Sequence, residues 1–248
     1  MNRLLRNLLL NPLTLYPLMW LGRAPALRRR ALSYQYLRGQ GLEVGALHNP
    51  MPVAFGVRVR YVDRKPEEGL REEYRRHADR HKVPLDVVDD AEALSTISDQ
   101  SQDFVIASHV LEHMESPLLA LTNWMRVLRT GGMLYLAVPH RDHTFDRGRP
   151  VTPFSHLLDD LRNGPGTSRA SHYLEWLRLV GGRSEAEAQE RLPLVMGKST
   201  SIHFHVWDTT AFFELLQRSR QELRLPLEVV VFEVNGSEML IMCRKSSQ

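Results

Sequence analysis

The stretch LEVGALHNP, Leu42–Pro50, opens as an apolar run that carries one acid, Glu43, and ends in a turn that begins at Gly45. A strand that runs into a glycine turn is the usual entrance to a nucleotide site in an open α/β sheet. The second and third glycines of such a loop are absent. Leu47, His48, Asn49 and Pro50 stand in their place.

The segments that follow alternate between strand and helix patterns. VRVRYVDR (57–64), PLDVVDD (84–90), SQDFVIASHV (101–110) and MLYLAVP (133–139) read as strands from their β-branched, apolar content. EEGLREEYRRHADRH (67–81) reads as a charged, solvated helix. SPLLALTNWMRVLRTGG (116–132) reads as an amphipathic helix, with Leu118, Leu121, Met125 and Leu128 on one face and Gly131 and Gly132 as its stop. Such alternation predicts an α/β fold: a doubly wound, mostly parallel sheet with helices on both faces. Near the C-terminus, DTTAFFELLQRS reads as a helix capped by Asp208. LEVVVFEVNGSEMLIMCRK reads as two antiparallel strands joined at Asn235-Gly236. Residues 140–205 break the alternation and are rich in His, Arg, Gly and Pro. They predict a helical insertion, a lid over the carboxyl edge of the sheet.

Composition narrows the function classes. With 43% hydrophobic and 25% charged residues, the chain is ordinary for a globular protein. Its one cysteine, Cys243, excludes an intramolecular disulfide framework and a thiolate zinc cluster. It reads as a buried, inert thiol and fits a reducing, cytoplasmic setting. Residues 1–40 hold seven Arg and no acid, whereas the rest of the chain holds 25 basic and 29 acidic residues. The body is therefore mildly acidic, which argues against a nucleic-acid partner. The domain reading is a basic helical arm, residues 1–40, followed by one domain, 41–248. Residues 1–30 combine Leu, Tyr16 and Trp20 with Arg28, Arg29 and Arg30. They suit either packing on the body or peripheral contact with an anionic membrane surface.

In an open α/β sheet, ligands bind beyond the carboxyl ends of the strands. Gly45 follows the first strand. Asp63, with Arg64 beside it, follows the second and stands twenty residues after Glu43, where an acid can accept from ribose hydroxyls. Asp89, Asp90 and Ala91 follow the third, and Ser108 and His109 the fourth. The order LEVGA, VRYVDR, DDAEAL, DFVIASHVLEHM, RVLRTGGMLYLAVP resembles that of class I S-adenosylmethionine-dependent methyltransferases, of the methyltransferase type 11 kind. The resemblance covers roughly residues 41–139 and the closing hairpin. It implies a seven-stranded Rossmann-like sheet and S-adenosylmethionine as cofactor. It also implies a cofactor site made by Glu43, Gly45, Asp63, Arg64, Asp90, Ala91, Ser108 and His109. A dinucleotide dehydrogenase would need the missing glycines for its pyrophosphate. S-adenosylmethionine carries no phosphate, so Leu47 and His48 count less against it.

Most of the eleven histidines fall where the active site should be. His109, Glu112 and His113 form H-x-x-E-H. This resembles both the inverted zinc peptidases and an E-x-x-E-H subset of O-methyltransferases that bind a divalent ion. The second comparison implies a metal set of His109, Glu112 and His113, which a nitrogen-binding transition metal would suit. Methyl transfer to oxygen needs a proton acceptor. His143, with His140 and Asp146 as ligand, orienter or substitute base, follows the fifth strand and is the expected catalytic group. His203 and His205 would point the same way if their segment is extended. His172, Tyr173 and Trp176 suit core packing or a sugar ring, and Arg141, Arg147 and Arg149 suit an anionic acceptor. The expected function is therefore O-methylation of a hydroxyl on a saccharide, glycan or other small polar acceptor. Two other classes remain open: a non-catalytic S-adenosylmethionine-binding protein and a metal-dependent hydrolase.

Overall fold

The computed structural model describes residues 24–47, 49–73 and 84–247. The proposed membrane-surface residues 1–23, His48, and the later part of the charged helix expected over 67–81 lie outside the described residues. A seven-stranded sheet runs in the order β3-β2-β1-β4-β5-β7-β6. Its strands are β1 (Gln40–Val44), β2 (Arg58–Asp63), β3 (Val87–Val88), β4 (Gln102–Ser108), β5 (Leu128–Pro139), β6 (Leu227–Asn235) and β7 (Glu238–Lys245). β1 to β5 are mutually parallel, and β7 runs antiparallel between β5 and β6. The helices are α1 (Ala24–Tyr36), α2 (Glu67–Glu73), α3 (Pro117–Val127), α4 (Phe154–Asn163), α5 (Arg169–Leu179), α6 (Glu185–Gly197) and α7 (Thr209–Glu222). The doubly wound reading and the terminal hairpin hold, with Gly236 at φ 66° in the turn.

The central strands are buried on both faces, which is why they read as continuous apolar runs. Side chains alternate between two cores. Val105, Ala107, Leu134, Leu136, Val138 and Ile241 meet α3, α4 and α7 on one face. Phe104, Ile106, Met133, Tyr135, Leu240 and Met242 meet Leu32 and Leu37 on the other. α1 thus seals the second face. Arg28 pairs with Glu233 at 2.5 Å, and Arg29 pairs with Glu238, both on the hairpin. Two of the arginines expected at a membrane surface are therefore engaged within the protein. Cys243 is buried, and burial pushes its thiol up to about 12.

Two boundaries differ from the sequence pattern. α3 ends at Val127, and Leu128–Gly132 join β5 instead of closing the helix. Gln102 pairs with Leu128 across a register shift, so the glycines serve the strand; Gly131 takes φ 81°. Asp208 caps α7 as expected, accepting from the Ala211 amide at 2.8 Å. Between β5 and α7, α4 joins the main core. Tyr173 of α5 forms a smaller cluster with Ile202 and Phe204, against which Leu192 of α6 packs. Among the described residues, no helix is long and apolar enough to cross a membrane.

Candidate active site

A cavity of about 450 Å³ opens at the carboxyl ends of the parallel strands. Its floor is Val44 and Gly45 after β1, Asp63 and Arg64 after β2, Ala91 after β3, and His109 and Val110 after β4. The strand order reverses between β1 and β4, the switch point at which such sheets bind ligands. Its outer wall is His113, Met114, Glu115, Arg169, Tyr173, the run Ser199 to Ser201, and Phe204. The size suits a small-molecule site.

The loop Gly45–Pro50 explains its own composition. Gly45 has φ 64°, and a Cβ there would stand 2.9 Å from Val110 Cγ2. Leu47, where a glycine-rich loop has its second glycine, keeps the left-handed backbone at φ 49°. The loop retains the shape that glycine usually supplies, at the conformational cost of a bulky residue. Glu43 holds it closed: its carboxylate accepts from the Met51 amide at 2.9 and 3.1 Å. Burial pushes the Glu43 carboxyl up to about 7, against that hydrogen bond and the Arg29 charge. A cavity floored by Gly45 at the switch point, with Asp63 at its side, fits S-adenosylmethionine.

Comparison with known proteins agrees. Residues 39–136 match the model of a family described as a methyltransferase domain. Over those residues the chain is similar to a methyltransferase domain. A Pyrococcus horikoshii OT3 protein is 18% identical with a TM-score of 0.50, covering 92% of this chain and 91% of its own. A Thermotoga maritima S-adenosylmethionine-dependent methyltransferase, titled a possible histamine N-methyltransferase, is 16% identical with a TM-score of 0.47, covering 93% and 97%. A Methanosarcina mazei S-adenosylmethionine-dependent methyltransferase is 16% identical with a TM-score of 0.47, covering 86% and 96%. At these identities the likeness concerns the fold alone. A sequence comparison with curated proteins gives no match.

The fold places the expected cofactor residues unequally. Gly45, Asp63, Arg64, Ala91 and His109 line the cavity. Glu43 lies behind the loop. Asp90 is exposed and bonds the Glu92 amide at 2.7 Å, and Ser108 is not in the lining. Asp89 is buried and accepts from Thr96 and Ser95, a structural role.

The metal set expected from H-x-x-E-H is rearranged. His109 Nε2 donates to Glu238 at 2.9 Å, and its Nδ1 lies 3.5 Å from Glu112. Burial disfavours its charged form, but Glu112 and Glu238 overcome burial and the Arg29 charge and raise it to about 9. His109 Nε2 also meets Arg29 at 2.6 Å, and His109 is not among the ligand atoms that converge. Glu112 and His113 instead converge with His203, with ligand atoms within 4.8 Å of one another. His113 Nδ1 donates to the Ile202 carbonyl at 2.8 Å, which leaves its Nε2 as an acceptor. Burial, ahead of the neighbouring charges, lowers the His113 pKa and keeps the ring neutral. His203 Nδ1 stands 2.6 Å from Asp146. The Glu112 carboxylate is buried, and neither oxygen has a hydrogen-bond partner.

The expected catalytic trio lies off the cavity. Residues 140–148 fold into two short 3₁₀ turns. His143 Nδ1 donates to the Gly236 carbonyl at 2.8 Å, and His140 Nε2 meets Thr209 Oγ1 at 3.1 Å; the two rings stack. Neither is in the cavity lining. Asp146 is buried between His203 and Arg149. Arg149, offered to an anionic acceptor by the sequence, is buried and bonded to Asp146, Glu175 and the His203 carbonyl. Arg141 pairs with Asp142. His203 and His205 serve different groups, because residues 201–206 lack a regular strand. Sequence reasoning passed over Arg169 and Ser199–Ser201 as cavity residues, since nothing in their spacing marks them.

Proposed function

We propose that the methyltransferase methylates a hydroxyl of a small polar, saccharide-like acceptor, with His113 as the proton acceptor. The observation that carries this reading is that His113 lines the same cavity as the cofactor loop, with its tautomer set by the Ile202 carbonyl. The donor supplies an activated methyl group on sulfur. The acceptor oxygen attacks that carbon in line, the carbon–sulfur bond breaks to leave a neutral thioether, and the hydroxyl proton passes to His113 Nε2. Asp146 orients His203 against the His113 ring, and His109 Nδ1 stands 3.5 Å from the buried Glu112. Much of the rate comes from positioning both reactants. The hydroxyl-bearing wall at Ser199, Thr200 and Ser201, facing Tyr173, supports a polyhydroxylated acceptor.

The test is product formation from S-adenosylmethionine and a panel of saccharides, read by mass spectrometry. His113→Ala is expected to lose ~10²–10⁴ in turnover, while His143→Ala retains activity. The reverse pattern would return the base to His143. A methyl group found on nitrogen or carbon would overturn the hydroxyl acceptor.

The bare Glu112 oxygens favour one second reading, in which a divalent ion among Glu112, His113 and His203 holds the acceptor hydroxyl. Turnover that needs added metal in the parent, and none in Glu112→Gln, would select it.

A further inference from the structure

A second polar group lies inside the helices between β5 and α7, apart from the cofactor cavity. His156 and Asp160 stand one turn apart on α4, His172 lies in the first turn of α5, and His205 lies on the segment that leads to α7. One ligand atom from each falls within 4.8 Å of all the others. His156 Nε2 is 2.9 Å from His172 Nε2 and 3.2 Å from Asp160 Oδ2.

The protons do not suffice for these acceptors. A backbone carbonyl can only accept, so the 3.2 Å contact between His205 Nε2 and the Glu115 carbonyl fixes the His205 proton on Nε2. Its Nδ1 is then a lone pair, buried and without a partner. Asp160 Oδ1 accepts from Ser168 Oγ at 2.6 Å, whereas Oδ2 is buried and lacks a hydrogen bond. One shared proton between His156 and His172 still leaves Asp160 Oδ2 and His205 Nδ1 bare. Asp160 and His205 are 2% and 0% exposed, so bulk solvent does not reach them.

We propose that His156, Asp160, His172 and His205 are the four ligands of a divalent transition-metal ion, zinc by preference. Three imidazoles and one carboxylate are a zinc donor set and a poor one for magnesium or calcium, which take oxygen. Ligands in metal sites are held from behind by a second hydrogen bond. Here Ser168 holds Asp160, and the Glu115 carbonyl holds His205. His156, partly exposed, gives an entry path. Four protein ligands close a tetrahedral shell, so the ion is structural. It ties α4, α5 and the segment around His205 together. Tyr173 and Phe204, each next to a ligand in sequence, are thereby set in the cavity wall.

The experiment is metal analysis of the full chain purified with zinc and then dialysed, with cobalt substitution read by visible absorption. The parent is expected to hold an equivalent of zinc that His113→Ala retains and that Asp160→Asn and His205→Gln lose, with affinity down about tenfold or more. Cobalt should give the absorption of a four-coordinate ion, and chelation should lower Tm in the parent but not in Asp160→Asn. Asp160→Asn preserves volume, so it tests the ligand even where a histidine variant fails to fold. Zinc content and chelator sensitivity unchanged by Asp160→Asn and His205→Gln would overturn the proposal. So would loss of the same zinc in His113→Ala alone.

Discussion

At Gly45 two demands coincide, a left-handed backbone and an approach to Val110 too close for a Cβ. Gly45→Ala is expected to cost about 1–2 kcal/mol from backbone conformation alone and to weaken S-adenosylmethionine binding. Denaturant melts and titration calorimetry check both. Glu238 supplies a pH prediction. Burial opposes its ionisation, yet hydrogen bonds from Arg29 and His109 hold its carboxyl down at about 2, below its ordinary 4.5. The stabilisation is therefore complete above pH 4.5 and is lost as pH falls through 2. The shift corresponds to about 3 kcal/mol at most. Glu238→Gln should be less stable than the parent at pH 6, and the gap should close between pH 4.5 and pH 2. A gap constant across that range would exclude Glu238 as the titrating group.

α7 begins where Asp208 accepts from the Ala211 amide, one of the donors that a helix start leaves unpaired. Its Phe212, Leu215 and Leu216 then face the main core. Asp208→Ala is expected to lower stability by about 1 kcal/mol without changing cofactor affinity, since the cap lies outside the cavity lining. Thermal unfolding with and without S-adenosylmethionine measures the two separately. α6 starts with a reciprocal pair instead, Ser184 with Glu187. The start of α7 was legible because a cap is a local event, settled within four residues. The end of α3 was not. Gly131 and Gly132 look like a helix stop, but Leu128 pairs with Gln102 across the sheet, and strand pairing takes over those residues.

For the molecule as a whole, charge and apolar area act together in α1. The basic N-terminal segment meets the acidic body through Arg28–Glu233 and Arg29–Glu238, and Leu32 and Leu37 cover the second face of the sheet. Removing residues 1–36 would expose Met133, Tyr135, Leu240 and Met242 on that face. A large bare apolar patch drives association. The truncated protein is expected to aggregate or elute as oligomers in size-exclusion chromatography, and a stable monomer would show α1 to be dispensable.

Sequence by itself determined the succession of strands in the parallel half, the hairpin at Asn235-Gly236 and the cavity edge at Gly45, Asp63 and Ala91. Each rests on periodicity or on a turn residue, and these act over a few neighbours. The partners of the histidines were decided by the tertiary structure. His109 bonds Glu238, 129 residues away, and meets Arg29, 80 residues away. His143 is aimed at Gly236 by a 3₁₀ turn, and His113 meets His203 across the insertion. A histidine's role depends on which nitrogen keeps a lone pair. That is fixed by hydrogen bonds to atoms that spacing along the chain cannot bring into view.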